Sequence, residues 1–198
     1  MEAITEQILK LAQKLPEGDS LSAKALLHLG NRAAVDQALS RLVRRGSLMR
    51  AGRGIYVRPV QGKFGTRPPS AAAVVRTLST QWGETITPHG AAAANALGLT
   101  TQVPAREVYL TSGRSRQLRL GAQTVELRHA PSWQLLLPQR RAGEALRALA
   151  WLGPEHAAEA LQALLHRLSK SELRELAAVR PRLPTWMAQQ VSAIAGDA

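Results

Sequence analysis

The sequence predicts a helix-rich α+β protein in two parts. A winged helix-turn-helix occupies residues 1–65, and a mixed α/β domain with a helical C-terminal section occupies residues 66–198, its strands ending near residue 130. Three observations carry this expectation. Apolar residues recur at helical spacing up to residue 45 and are followed by two β-like runs joined by Ala51-Gly52-Arg53-Gly54. The stretch Gln61 to Ser70 is rich in Gly and Pro and reads as an interdomain linker. Hydrophobic residues make up 45% of the 198 residues but aromatics only 4%, so Ala and Leu fill most apolar positions. That bias favours helix, where both lose little rotamer freedom.

Ile4, Ile8, Leu11 and Leu15 make a first amphipathic helix, ended by Pro16-Glu17-Gly18. A short second helix is expected from Ser22 to Leu29, with Ala25, Leu26 and Leu29 inward, and Gly30 breaks it. Asn31 is placed to cap a third helix, Arg32 to Arg45. One face of that helix carries Val35, Ala38, Leu39, Leu42 and Val43; the other carries Arg32, Asp36, Gln37, Ser40, Arg41 and Arg44. A helix that enters a DNA groove needs both faces, one to lock it to its domain and one to offer hydrogen-bond donors to base edges. The runs Ser47–Arg50 and Ile55–Arg58 then form a hairpin whose tip projects Arg53, a wing.

Lys and Arg number 26 against 14 Asp and Glu, a net charge of +12 that attracts polyanions. Eight basic residues and no acid lie between Arg41 and Arg67. The expected base-reading residues are Arg32, Gln37, Ser40 and Arg41, because Gln suits adenine and Arg suits guanine. Asn31, Arg44, Arg45, Arg50, Arg53 and Arg58 are expected at phosphates, fixing register. Arg114, Arg116 and Arg119, with Arg106 and Arg128 nearby in sequence, suggest a second basic patch for flanking DNA or an acidic protein face; a solvated strand surface is the plainer alternative.

Beyond the linker, Ala71 to Thr80 reads as a helix with Val74, Val75 and Leu78 apolar, and a small-residue helix starting at Pro88 and ending at Gly98 implies close packing. Glu107–Thr111, Gln117–Leu120 and Thr124–Arg128 have strand character, and from Ser132 the pattern is helical. Gly153-Pro154 opens one helix and Ser169–Glu172 is a capping box for the next.

Several function classes are excluded by what the chain lacks. Without Cys there is no disulfide, thiolate metal site or Cys nucleophile. The acidic start is not a signal peptide, and no apolar run approaches the ~18 residues of a membrane span. A cytoplasmic protein without membrane attachment is expected. The five histidines, His28, His89, His129, His156 and His166, show no metal-ligand spacing, and no Walker, Rossmann or Gly-x-Ser-x-Gly motif occurs. His89, beside Pro88, suits a helix-capping or packing role. Gly46-Ser47 is followed by no paired carboxylates, and the aspartates are Asp19, Asp36 and Asp197, so the chain is not itself expected to be a nucleotidyltransferase. No catalytic residue, metal or cofactor is expected.

The stretch Asn31–Leu42, with Gly46 and Arg53-Gly54-Ile55-Tyr56, resembles the winged helix-turn-helix of AbiEi-type antitoxins. Thr87–Pro104 with Tyr109–Arg116 is similar to the second domain of a DUF6088-like branch of them. The resemblance implies an antitoxin of a type IV, abortive-infection toxin–antitoxin pair. It also implies repression of its own operon through inverted promoter repeats, and a toxin partner of nucleotidyltransferase fold. Two other readings stay open: a stand-alone transcription factor whose second domain senses a ligand or dimerises, and an RNA-binding or adaptor protein.

Overall fold

Burial of spaced apolar residues organises the first part of the chain. In the computed structural model, which describes residues 3–63 and 65–195, Phe64 of the expected linker and Asp197 fall outside the described residues. Helix α1, Ile4–Lys14, turns Ile8 and Ala12 inward, while Leu11, grouped with Ile8 by spacing, is 37% exposed. Strand β1, Ser20–Ser22, follows. The second helix expected from Ser22 to Leu29 does not form. Ser22 is held in β1 opposite Ile55, which leaves too short a stretch before Gly30 to repay helix nucleation. The segment folds instead as successive turns, in which Ala25, Leu26, Leu27 and Leu29 each donate to a carbonyl three residues back.

Helix α2, Arg32–Arg44, starts at Asn31, whose side-chain oxygen accepts from the Ala34 N–H at 2.9 Å. It buries Val35, Ala38, Leu39 and Leu42 and is followed by Gly46 at φ +72°. Strands β2, Met49–Gly52, and β3, Ile55–Val57, form an antiparallel hairpin with a bulge between Arg50 and Gly52. Gly54 takes φ +72° at its turn, a conformation that costs glycine nothing. β1 pairs with the far side of β3, so the strand order is β1-β3-β2. Ile8, Ala12, Leu26, Val35, Leu39, Leu42, Leu48 and Tyr56 close into one core.

The Gly/Pro-rich stretch read as a linker is a second hairpin. β4, Val60–Gly62, pairs antiparallel with β5, Gly65–Arg67. Helix α3, Ala71–Trp82, follows directly, capped by Ser70 Oγ accepting from the Ala73 N–H. The chain then forms β6, Ile86–Pro88, and α4, Gly90–Ala96. Strands β7, Glu107–Thr111, β8, Arg116–Leu120, and β9, Gln123–His129, complete the sheets. The contacts divide the chain into two compact units, Met1–Glu84 with Arg116–Glu126, and Thr85–Ser115 with Leu127–Ala198. The expected division at residue 65 is therefore displaced: α3 and the β8 hairpin belong with the first unit. Leu118 of β8 lies against β2, where a Cβ on Gly52 would meet its Cδ2 at 3.6 Å.

In the second unit β6 pairs antiparallel with β7, Thr87 opposite Leu110. After a 3-10 turn, Ser132–Leu135, come α5, Arg141–Leu152, and α6, Pro154–Leu165. α7, Lys170–Ala178, has the expected capping box at Ser169 and Glu172, and a 3-10 turn, Arg180–Arg182, leads to α8, Thr185–Ala195. The protein is thus mixed α+β, with eight α-helices and several small sheets among the described residues. Among them, no helix is long and apolar enough to cross a membrane. Ala93 and Ala94 of α4 pack with Leu146 and Leu149 of α5 and with Leu161, Leu164, Met187 and Val191 into the unit's core.

The small residues of α4 let α5 approach closely, as expected from their density. A Cβ on Gly90 would sit 2.3 Å from the Arg147 carbonyl oxygen and 2.5 Å from Trp151 Cβ. In an open helix Gly→Ala gains about 1 kcal/mol; here overpacking, typically about 1–3 kcal/mol, opposes it. Gly90→Ala is expected to lower the calorimetric Tm, and an unchanged or raised Tm would contradict the close approach.

Candidate nucleic-acid interface

The buried stripe of α2 dictates what its other side presents. With Val35, Leu39 and Leu42 at 0%, 0% and 1% exposure, Arg32, Ala33, Gln37, Ser40, Arg41 and Arg44 are held outward in solvent. Ala33, Asp36, Gln37, Ser40, Arg41 and Arg44 line a shallow depression of about 320 Å³ along the helix. Three of the four expected base-reading residues, Gln37, Ser40 and Arg41, thus line one depression, and Arg32 is exposed at the start of the helix. Arg32 Nε contacts Asp36 Oδ2 at 2.8 Å, one turn apart. With side chains 64% and 46% exposed, such a pair contributes only about 0.3–0.5 kcal/mol, and a stronger anion can displace it.

The residues expected at phosphates divide into distinct environments. Arg44 and Arg45 are exposed at the end of α2, where cations also suit the helix dipole. Arg53 is exposed at the tip of the β2–β3 hairpin, between Gly52 and Gly54. Arg50 is exposed, with Nε 3.4 Å from the Gly52 carbonyl. Asn31 is exposed, but its side-chain oxygen is used in the helix cap. Arg58 departs from the expectation: it is half-buried and donates to the Leu15 carbonyl at 3.3 Å, tying β3 to the end of α1. Among the described residues, the side chains of Arg41, Arg44, Arg45 and Arg53 have no hydrogen-bond or ion-pair partner. These four are the guanidinium groups of this surface that the fold leaves uncommitted.

Sequence reading missed a further part of the surface. Gln61, Thr66 and Arg67 of the β4–β5 hairpin, with Arg45, Ser47 and Met49, line an open groove of about 670 Å³. The signal lay in Gly62 and Gly65 bracketing a turn, masked by the following Pro68-Pro69. Arg67 is committed there: its two terminal nitrogens reach Glu17 at 3.0 and 3.3 Å, and Glu17 also accepts from the Ser70 N–H. The Arg67 hydrogen bonds, and after them that of Ser70, hold the Glu17 carboxyl below its ordinary range.

The residues expected in a second basic patch fall in different units and different environments. Arg114 is exposed in the second unit, whereas Arg116 and Arg119 belong to the first. Arg116 binds both oxygens of Glu84 and lies over the Trp82 ring, 3.9 Å from its centroid. Its charge is neutralised and its plane stacked, whereas Arg119 is exposed. His89 takes the capping role, its Nδ1 accepting from the Ala91 N–H at 3.2 Å.

The pattern of DUF6088, described as a family of unknown function, matches residues 7–176. Among curated proteins no sequence matches. The fold is similar to that in the crystal structure of RV2827C protein from Mycobacterium tuberculosis, with a TM-score of 0.52 and 18% identity over 98% of this chain and 76% of that one.

The Trp82–Arg116–Glu84 cluster makes a stability prediction separate from binding. With side chains 23% and 19% exposed, Arg116 and Glu84 share charge-assisted hydrogen bonds, which contribute about 1.5–3 kcal/mol. Arg116→Met and Glu84→Gln are each expected to lower the urea midpoint, and the double variant to lower it by less than their sum. Additive losses in the cycle would show that the two groups act independently.

Proposed function

We propose that this chain, a member of the DUF6088 family, is a winged helix-turn-helix DNA-binding protein that acts as an antitoxin and as repressor of its own operon. The observation that carries the DNA reading is the coincidence, on one unit, of an exposed polar face on α2 and a cationic hairpin tip, with Arg41, Arg44, Arg45 and Arg53 uncommitted to the fold. The element order α1, β1, turns, α2, β2, β3, with β1 closing the sheet beside β3, supports a winged helix in which turns replace the middle helix. α2 enters the major groove. Gln37 pairs with adenine, Arg32 or Arg41 with guanine, and Ser40 with either. Arg44, Arg45, Arg50 and Arg53 hold phosphates, and the surface continues over the β4–β5 hairpin through Lys63 and Gln61.

The antitoxin role rests on the resemblance to AbiEi-type proteins. Its partner is a nucleotidyltransferase-fold toxin, and its operator is a set of inverted promoter repeats. A neighbouring gene for such a toxin, whose growth arrest co-expression of this chain relieves, supports the role; arrest that persists argues for a repressor alone.

Two substitutions separate base reading from phosphate contact. Arg53→Ala is expected to weaken binding evenly across sequences and to flatten the salt slope by about one unit. Arg41→Ala is expected instead to lose about 1–3 kcal/mol of preference between operator and unrelated DNA. Fluorescence anisotropy on promoter and scrambled duplexes at several salt concentrations measures both. Wild-type behaviour of both variants would remove α2 and the hairpin from the interface.

A further inference from the structure

Arg147 of α5 is 1% exposed, yet it forms no ion pair with a carboxylate among the described residues. Its Nη1 donates to the Leu136 carbonyl at 3.3 Å and its Nη2 to the Pro138 carbonyl at 3.5 Å, both long bonds. Its buried Nε has no partner at all. Burial draws its pKa down to about 10, with Glu144 three residues earlier opposing, so the guanidinium stays charged at neutral pH. A buried cation held only by neutral carbonyls is costly unless an anion completes its surroundings.

A cavity of about 230 Å³ adjoins it, within the second unit. Arg147, Gln134 and His89 supply its polar lining, and Leu110, Ala150 and Trp151 its apolar lining. The Gln134 carboxamide has no partner among the described residues, and Trp151 is 39% exposed on the last turn of α5. At ~30 Å³ per water the space holds roughly eight waters, too little for a nucleotide and enough for a small organic acid. The unequal lining also selects between anions. A hydrated, wholly polar anion such as phosphate gains nothing from Leu110 and the Trp151 ring, whereas a carboxylate attached to an apolar body uses both sides.

We propose that this cavity binds a small organic monocarboxylate. Its carboxylate meets the Arg147 guanidinium, Gln134 donates to it, and its apolar body lies against Trp151, Leu110 and Ala150. Charge-assisted contact with a planar guanidinium supplies orientation, and the aromatic and aliphatic wall supplies discrimination. The site stands apart from the DNA-binding reading and holds whether or not α2 enters a groove.

Benzoate is the probe, titrated into the full chain with tryptophan emission and thermal unfolding as readouts. Saturable change in emission and a rise in Tm are expected with benzoate, and neither with benzamide or inorganic phosphate at the same concentrations. Benzamide matching benzoate, or phosphate alone binding, overturns the proposal. Arg147→Met is expected to weaken benzoate at least about tenfold. Because Arg147 also holds the Leu136–Pro138 turn, a second variant leaves it in place: Ala150→Leu fills the cavity and is expected to abolish the benzoate response while the ligand-free protein still unfolds cooperatively. Wild-type benzoate affinity in a folded Ala150→Leu protein overturns the site.

Discussion

Everything offered by the first unit depends on which side of α2 is buried. Val35, Leu39 and Leu42 are almost wholly removed from water against Ile8, Ala12, Leu26 and Leu48. Each such side chain contributes about 1.5–3 kcal/mol on burial. The Arg32–Asp36 pair on the other side contributes a few tenths. Rotating the helix by half a turn would exchange the large term for the small one and bury Arg41 and Arg44 uncompensated. The helix therefore has one stable setting, and the polar face is a consequence of the core rather than a separate design.

Net charge is a poor guide to surface charge in this chain, because the fold uses many of its arginines internally. Arg58 ties β3 to α1, Arg67 binds Glu17, and Arg116 binds Glu84 while stacked on Trp82. In the second unit Arg147 is buried and Arg167 donates to the Leu97 carbonyl. The +12 of the sequence is thus spread over structural and uncommitted groups alike. Only guanidinium groups without a fixed partner exchange water and counterions for phosphate at little cost, since the others must first break an existing bond. On the surface formed by α2 and the β2–β3 hairpin, that distinction singles out the end of α2 and the hairpin tip.

How much of this was legible in the sequence follows the range of the interactions. α2 was legible to within a residue, because its stripe, the Asn31 cap and Gly46 are local signals. The β2–β3 hairpin and the Ser169 capping box were legible for the same reason. β1 was not: three residues, Ser-Leu-Ser, carry no periodicity, and they become a strand only by pairing with Ile55–Val57 far along the chain. That long-range pairing also removed the expected second helix. The β4–β5 hairpin was hidden by Gly/Pro composition, which marks turns and linkers equally. Among the site residues, exposure on α2 could be read from the helix period, but the inward commitment of Arg58 and Arg116 could not, since their partners Leu15 and Glu84 lie 43 and 32 residues away.

Arg147 had a signal that composition alone concealed. α5 buries Ala142, Gly143, Ala145, Leu146, Arg147, Ala148 and Leu149, and leaves Arg141 and Trp151 exposed. An arginine set within so long a buried run is itself drawn out of water, however long its side chain. The close approach of α4 at Gly90 adds to that burial, and the charge is met inside by the Leu136 and Pro138 carbonyls. On α2 the reverse holds: Arg41 and Arg44 are on a helix with one buried face and need nothing from the protein. The chain therefore places arginine in two opposite physical situations, one in which water satisfies it and a polyanion can replace that water, and one in which the fold satisfies it only in part.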